Sequence, residues 1–311
     1  MRQSVEVFIN PYTDFGFKKL FGEEKNKHLL ISLTNDLLDG AEHIVDLTLH
    51  NSEYLPDSSM YSKPVFDVYC TNEKGEHFIV EMQKVDYGYF DDQALFYATF
   101  PVVEQAKAKK GKWNFNLKAV YCIGILDFVF SDHKDQKEVI HTAQLKDQRN
   151  QVFDAVRRFG QLKFIYVEMP NFNKTLEQLE NHCDRWLYFI KNLNSLDQMP
   201  ELFANDVIAE GFELARLAAF SHQERVHYES SLKGYRDMYS ILKTAENKSL
   251  IKGREEGRKE AREEERQKND QQTVASVKKM LSKGLSIEDI AEISGLSAAD
   301  IKDIEAENQI D

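Results

Sequence analysis

Asp67, Glu81 and Gln83 are the residues of this chain whose types and spacing could do chemistry. They lie in a segment, Val65 to Gln83, that reads as strand, turn, strand. Glu73-Lys74-Gly75 suits a three-residue hairpin loop with Gly75 in the left-handed position. In that register Asp67 lies opposite Glu81 and Val65 opposite Gln83. Side chains alternate along a strand, so Phe66, Val68, Cys70, Phe78, Val80 and Met82 are expected on the other, apolar face. A four-residue loop, Asn72 to Gly75, would instead put the two carboxylates on opposite faces. The three-residue loop alone keeps both off the apolar face. Two carboxylates on adjacent strands need a cation, and such a pair can hold Mg²⁺ for phosphodiester hydrolysis.

The elements that must position this hairpin follow from periodicity. Residues 11–39 read as a helix, opened by Pro11 and Tyr12-Thr-Asp14, with Leu20, Phe21, Leu29, Leu30, Leu33 and Leu37 near helical spacing and Gly40 at its end. Asp14 and Lys18 are four residues apart and share a face of it. Residues 42–50 suggest a first strand. Residues 90–110 read as a helix carrying Gln93 and Tyr97 one turn apart, with Pro101 expected to kink or divide it. Ala119 to Phe130 is a continuous apolar run, the mark of a strand buried on both faces, and Leu162 to Glu168 is another. The order is α-β-β-β-α-β, then a further strand. From Lys174 the chain reads as helical, including 201–221 and 224–244.

Bulk properties narrow the classes. With 311 residues and 42% hydrophobic content, a sizeable core can form. No apolar run is long enough for a bilayer, and Met1-Arg-Gln-Ser-Val has no signal-peptide pattern. Cys70, Cys122 and Cys183 are odd in number and widely spaced, which suits neither a disulfide framework nor a zinc site and points to the cytoplasm. The formal charge of −12 argues against a chain that is basic overall. The residues from Ser286 onward carry eight acids and one lysine, so the remainder is near −5. Local basic groups occur at Lys18-Lys19 and at residues 107–112, and a bound metal would add positive charge. There is no phosphate-binding loop, no Gly-x-Gly-x-x-Gly after a strand, no His-Glu-x-x-His and no Gly-x-Ser-x-Gly. These absences argue against an NTPase, a Rossmann dehydrogenase and an α/β-hydrolase, and no nucleotide cofactor is expected.

An Asp, a hairpin, then Glu-x-Gln resembles the PD-(D/E)XK nuclease signature. Together with Tyr12-Thr-Asp-Phe-Gly-Phe-Lys-Lys-Leu-Phe21, Tyr97 and the run to Phe130, the chain is similar to the Rpn family of recombination-promoting nucleases or putative transposases of that class. The resemblance covers residues 10–130 well and the tail more loosely. It implies an α/β, restriction-endonuclease-like core with a mixed central sheet flanked by helices, a C-terminal helical extension, and Mg²⁺-dependent endonucleolytic cleavage of DNA linked to recombination or mobile elements. It implies that Asp67 and Glu81 ligate one or two Mg²⁺ ions. The third signature residue is normally Lys, and here it is Gln83, which can hold a water but supplies no charge. Lys18 is a candidate replacement, whereas Lys84 should point to the opposite face unless a bulge turns it. Asp14 either caps its helix or joins the site, and Gln93 and Tyr97 either line the site or belong to the core. The expected domains are a core over 1–170, a helical extension over 171–245, a charged stalk over 246–272 and a small acidic helical tail over 273–311.

The stalk carries Arg254, Arg258, Arg262 and Arg266 at four-residue spacing among acids, as in a solvated helix or a semi-rigid linker. In the tail, Ala291, Gly295 and Ile301 have helix-turn-helix spacing, with Ser297 as a cap. The second helix, Ala298 to Glu305, lacks base-reading side chains, so a packing or interaction module is favoured over a DNA reader. Two rival functions stay open: a catalytically weak nuclease fold that binds DNA or protein, and a regulator acting through its tail. A homodimer also stays open.

Overall fold

The computed structural model describes residues 6–40, 42–50, 65–107, 117–144 and 162–307. Residues 51–64 with Pro56 and Pro64, most of the basic group at 107–112, and the ends expected at 110 and 111 lie outside them. The chain divides into two compact units, Met1–Arg236 and Asp237–Asp311.

The first unit is built on a six-stranded sheet: β1 (Leu47–Leu49), β2 (Val68–Asn72), β3 (His77–Gln83), β4 (Val120–Leu126), β5 (Ile140–Gln144) and β6 (Leu162–Glu168), in the order β1-β2-β3-β4-β6-β5. β1, β2 and β3 are antiparallel, β3, β4 and β6 run parallel, and β5 is antiparallel on the edge. The hairpin has the expected register, with Val68 opposite Val80 and Tyr69 opposite Ile79. Gly75 adopts φ +76, as its three-residue loop requires. The two long apolar runs became β4 and β6. β5 was not foreseen, because its Ile-His-Thr-Ala-Gln sequence is polar and it pairs only as an edge.

Helix α3 (Phe90–Lys107) crosses from β3 to the parallel β4 and covers one face of the sheet, against Tyr69, Ile79, Val120 and Cys122. The other face, through Val68, Cys70, Phe78, Val80, Tyr121 and Ile123, packs on α1 (Asp14–Phe21), α2 (Lys27–Leu37), α4 (His182–Asn192) and α5 (Ile208–Leu214). Trp186, Phe189, Phe203 and Phe212 are fully buried there. Each such side chain contributes roughly 1.5–3 kcal/mol by leaving water.

Several element expectations are corrected. Residues 11–39 are two helices. Gly22 stops the first, its N–H bonding to the Lys18 carbonyl, and the Asn26 side chain takes the Lys19 carbonyl at 2.9 Å, so an extended residue and a short turn intervene. The first strand is only Leu47–Leu49, because the Asn35 amide holds both main-chain groups of Ile44. Pro101 does not divide α3. Residues 201–221 form short turns around α5, since Ile9 and Leu217 N–H groups make main-chain bonds between residues 7–9 and 215–217 in place of helical ones. Phe66 falls on the α3 face: the chain bends at Asp67 before β2 begins, and its ring meets Tyr97 edge-on at 5.2 Å.

One helix, α6 (His222–Ser282), supplies the last residues of the first unit and the first of the second. Its charged middle is exposed throughout, with Lys252 and Glu256 3.7 Å apart. In the second unit, α7 (Ile287–Ser294) and α8 (Ala298–Glu307) close a small core of Val277, Ile290 and Ile301. Gly295 turns the chain at φ +71 and Ser297 accepts from the Asp300 N–H, as the spacing requires.

Candidate active site

Asp67 and Glu81 meet where the β2–β3 ladder ends. The last main-chain pair is Val68 with Val80. One step further, side chains take over: the Asp67 N–H donates to Glu81 Oε1 at 3.3 Å, and the Met82 N–H donates to Asp67 Oδ2 at 2.8 Å. Gln83, the last residue of β3, donates from Nε2 to the Val85 carbonyl at 3.0 Å, which leaves its amide oxygen as the acceptor a water could use.

Helix α1 brings Asp14 and Lys18. Thr13, not Asp14, caps it, accepting from the Gly16 N–H at 3.0 Å. Asp14 is therefore free of capping duty and pairs with Lys18 Nζ at 2.8 Å. The helix is strapped to α6 by Phe15 N–H on Ser231 Oγ, by Lys19 on Glu224 at 2.7 Å, and by the Tyr228 hydroxyl, which accepts the Asn10 N–H. Lys18 and Asp67 line one cleft, with Phe15, Gly22 and His50.

Charge is concentrated here. Burial pushes the Asp67 carboxyl above its ordinary range; the Met82 N–H opposes the shift, Asp14 adds to it, and Lys18 and Lys84 oppose it. Glu81 is raised further, first by burial and then by Asp67 beside it. Burial works against the Lys18 ammonium, but Asp14, Asp67 and Glu81 together raise its pKa. Three carboxylates thus share one region in excess of the fixed positive charge that answers them, which is the condition a divalent cation relieves. Asp67 and Glu81 supply hard oxygen donors, and the donor set fits Mg²⁺.

Gln93 donates to the Tyr97 hydroxyl at 3.0 Å. Tyr97 lines a small pocket with Glu81, Gly124 and Tyr166, and burial together with the fields of Glu81 and Asp67 raises its pKa. It also packs on Phe66, so it belongs to the core as well as to the lining of that pocket.

Lys84 falls on the Met82 face, as alternation predicts, against Tyr235, which packs on the same core as Met82. Its ammonium lies 4.0 Å from the centre of the Tyr235 ring, and it feels Asp67, Asp127 and Asp14. Burial nevertheless brings its pKa down to about 8. Asp127, just past β4, donates its N–H to the Gln83 carbonyl at 2.9 Å and is itself raised by burial. Sequence reasoning did not single out Asp127 or Tyr235. Asp127 had one usable signal, its position directly after a buried strand parallel to the Glu-x-Gln strand; Tyr235, in a distant helix, had none.

A mixed sheet with paired carboxylates where the ladder of its second and third strands ends, and with a helix crossing to a parallel fourth strand, defines the class of PD-(D/E)XK nucleases. A family model described as PD-(D/E)XK nuclease family transposase matches residues 11–245, and the chain belongs to that family. No match was found among curated proteins or among solved structures. Membership supports a nuclease- or transposition-related function, with DNA as the implied substrate. Nucleases of this class typically use divalent metals. Among the described residues no helix is long and apolar enough to cross a membrane.

Proposed function

We propose that the chain is a metal-dependent DNA endonuclease acting in recombination or transposition. The observation that carries this reading is the reciprocal junction of Asp67 and Glu81, two half-buried carboxylates of raised pKa at the end of a strand ladder. Mg²⁺ is the fitting ion, and when bound it would polarise a phosphoryl oxygen and acidify water.

The chain's own groups do the rest. Asp67 and Glu81 would hold the ion, each kept in place by a main-chain N–H of the opposing strand. The Gln83 oxygen accepts from a water and orients it, while its Nε2 is anchored on Val85. The signature lysine is replaced in charge by two ammonium groups from different directions, Lys18 on α1 and Lys84 beyond β3. In a partly dry site these offset the charge that builds on a phosphodiester under attack. Asp14 holds Lys18, and Gln93 with Tyr97 forms the wall beside Glu81.

A plasmid-nicking assay with and without Mg²⁺ tests the reading. Wild type should nick supercoiled DNA and Asp67→Ala should not. Equal activity in both, or none in wild type with any divalent metal, would leave the fold as a binding module instead.

A further inference from the structure

A second cluster of ligating groups lies at the carboxyl end of β6. Glu168 is the last residue of that strand, and its side chain is 0% exposed. His133 Nδ1 stands 2.9 Å from Glu168 Oε1, and His141 Nε2 stands 3.3 Å from Oε2. The three ligating atoms lie within 4.8 Å of one another. The two imidazoles are stacked with centroids 4.2 Å apart, so both reach the carboxylate from one side. They are 21% and 16% exposed, which leaves a path from solvent.

Three separate pieces of chain converge here. His133 ends a short turn after β4, its N–H bonded to the Phe130 carbonyl. His141 sits on β5 opposite Tyr166, two residues from Glu168 along β6, so the pleat puts the histidine and the glutamate on one face. The carboxylate is oriented by the Phe130 N–H at 3.0 Å on Oε1 and the Asn171 amide at 3.1 Å on Oε2. Such outer bonds fix a ligand's direction. Among the described residues its ion-pair partners are the two histidines, and a buried carboxylate without a lysine or arginine wants a cation.

We propose that His133, His141 and Glu168 form a Zn²⁺ site separate from the Asp67–Glu81 pair. Two neutral imidazoles and one carboxylate suit Zn²⁺, and Mg²⁺ is disfavoured by the nitrogen donors. Tetrahedral zinc at about 2.0–2.1 Å sets its ligands about 3.3 Å apart, close to the two histidine–carboxylate distances of 2.9 and 3.3 Å. The His141 bond to the Glu138 carbonyl, at 3.2 Å, would give way to the ion. Gln83, Leu126 and Glu168 form one row across the parallel strands, so the backbones of Gln83 and Glu168 stand about 10 Å apart at the carboxyl ends of those strands. The zinc would pin the β4–β5 connection, which begins at Asp127, to β6.

The test uses full-length protein stripped with chelator and offered Zn²⁺ alone, in wild type and in an Asp67→Asn background that weakens the other site. The Asp67→Asn protein should bind about one equivalent of Zn²⁺ and wild type at least one, both should gain thermal stability, and Mg²⁺ should give no such gain in the Asp67→Asn background. His141→Ala and His133→Ala should lose affinity by more than the roughly 10–100-fold that loss of an outer partner costs. Variants that keep native circular dichroism yet bind Zn²⁺ as wild type does would overturn the proposal. X-ray absorption on zinc-loaded wild type gives a readout independent of variant folding. Two imidazole ligands and an oxygen support the site, and an oxygen-only shell overturns it.

Discussion

Asp67 and Glu81 each bind the main chain of the other's strand. The carboxylate of Glu81 accepts the Asp67 N–H, and that of Asp67 accepts the N–H of Met82, the residue after Glu81. The two acids therefore continue the hairpin ladder with side-chain acceptors where its main-chain rungs stop. Their positions are set by backbone geometry, while their charges remain mutually repulsive.

That conflict predicts opposite effects on stability and activity. Asp67→Asn and Glu81→Gln keep an oxygen acceptor for the neighbouring N–H but remove buried charge. Thermal melts without metal should show stability unchanged or raised. Nicking should fall at least about 100-fold, since several kcal/mol of charge stabilisation depends on the ion. Added Mg²⁺ should raise the melting temperature of wild type and not of the variants, because only the native pair couples ion binding to folding.

Lys84 should matter although it lies outside the signature. Its ammonium rests on Tyr235 and lies in the field of Asp67, Asp127 and Asp14. Lys84→Met removes the charge and keeps most of the volume. Single-turnover cleavage should drop about 10-fold or more, with Lys84→Arg retaining part of the rate. Full activity in Lys84→Met would assign charge compensation to Lys18 alone.

Gly16 is the weak point of the helix that carries Asp14 and Lys18. A Cβ there would stand 2.2 Å from the Asn10 carbonyl oxygen and 2.7 Å from Thr13 Oγ1, both parts of the turn that caps α1. A main-chain atom cannot step aside cheaply. Gly16→Ala should cost about 1–3 kcal/mol in urea unfolding, near the overpacking range.

His182 predicts a pH dependence of stability. It bridges Asp36 on α2 and Asp206 before α5. Burial disfavours its charge, but the bonds to Asp206 and Asp36 prevail and raise its pKa above the ordinary 6.5. The folded state then holds the proton more tightly, so the contribution is complete below about pH 6.5 and is lost as pH rises through the raised value. The ring is 36% exposed, so the effect should be on the order of 1 kcal/mol after solvent screening. The stability gap between wild type and His182→Asn should be widest near pH 6 and narrow towards pH 9. A gap independent of pH would mean the histidine acts by packing alone.

Much of the site was legible in the chain because its information is local. Alternation, one glycine in a three-residue loop and two buried apolar runs fix the hairpin register and the parallel strands, and they put Asp67 opposite Glu81. The Asp14–Lys18 pair followed from helical spacing. What only the tertiary structure decided involves partners distant in sequence. Lys84 followed alternation onto the Met82 face, but its partner there, Tyr235, lies about 150 residues later and could not be read from spacing. The breaks in the first helix and around α5 came from side chains and main-chain pairing that outcompeted helical bonds. His133, His141 and Glu168 showed no spacing motif, because a turn and two antiparallel strands bring them together and neither strand pairing nor loop path is written in the interval between residues.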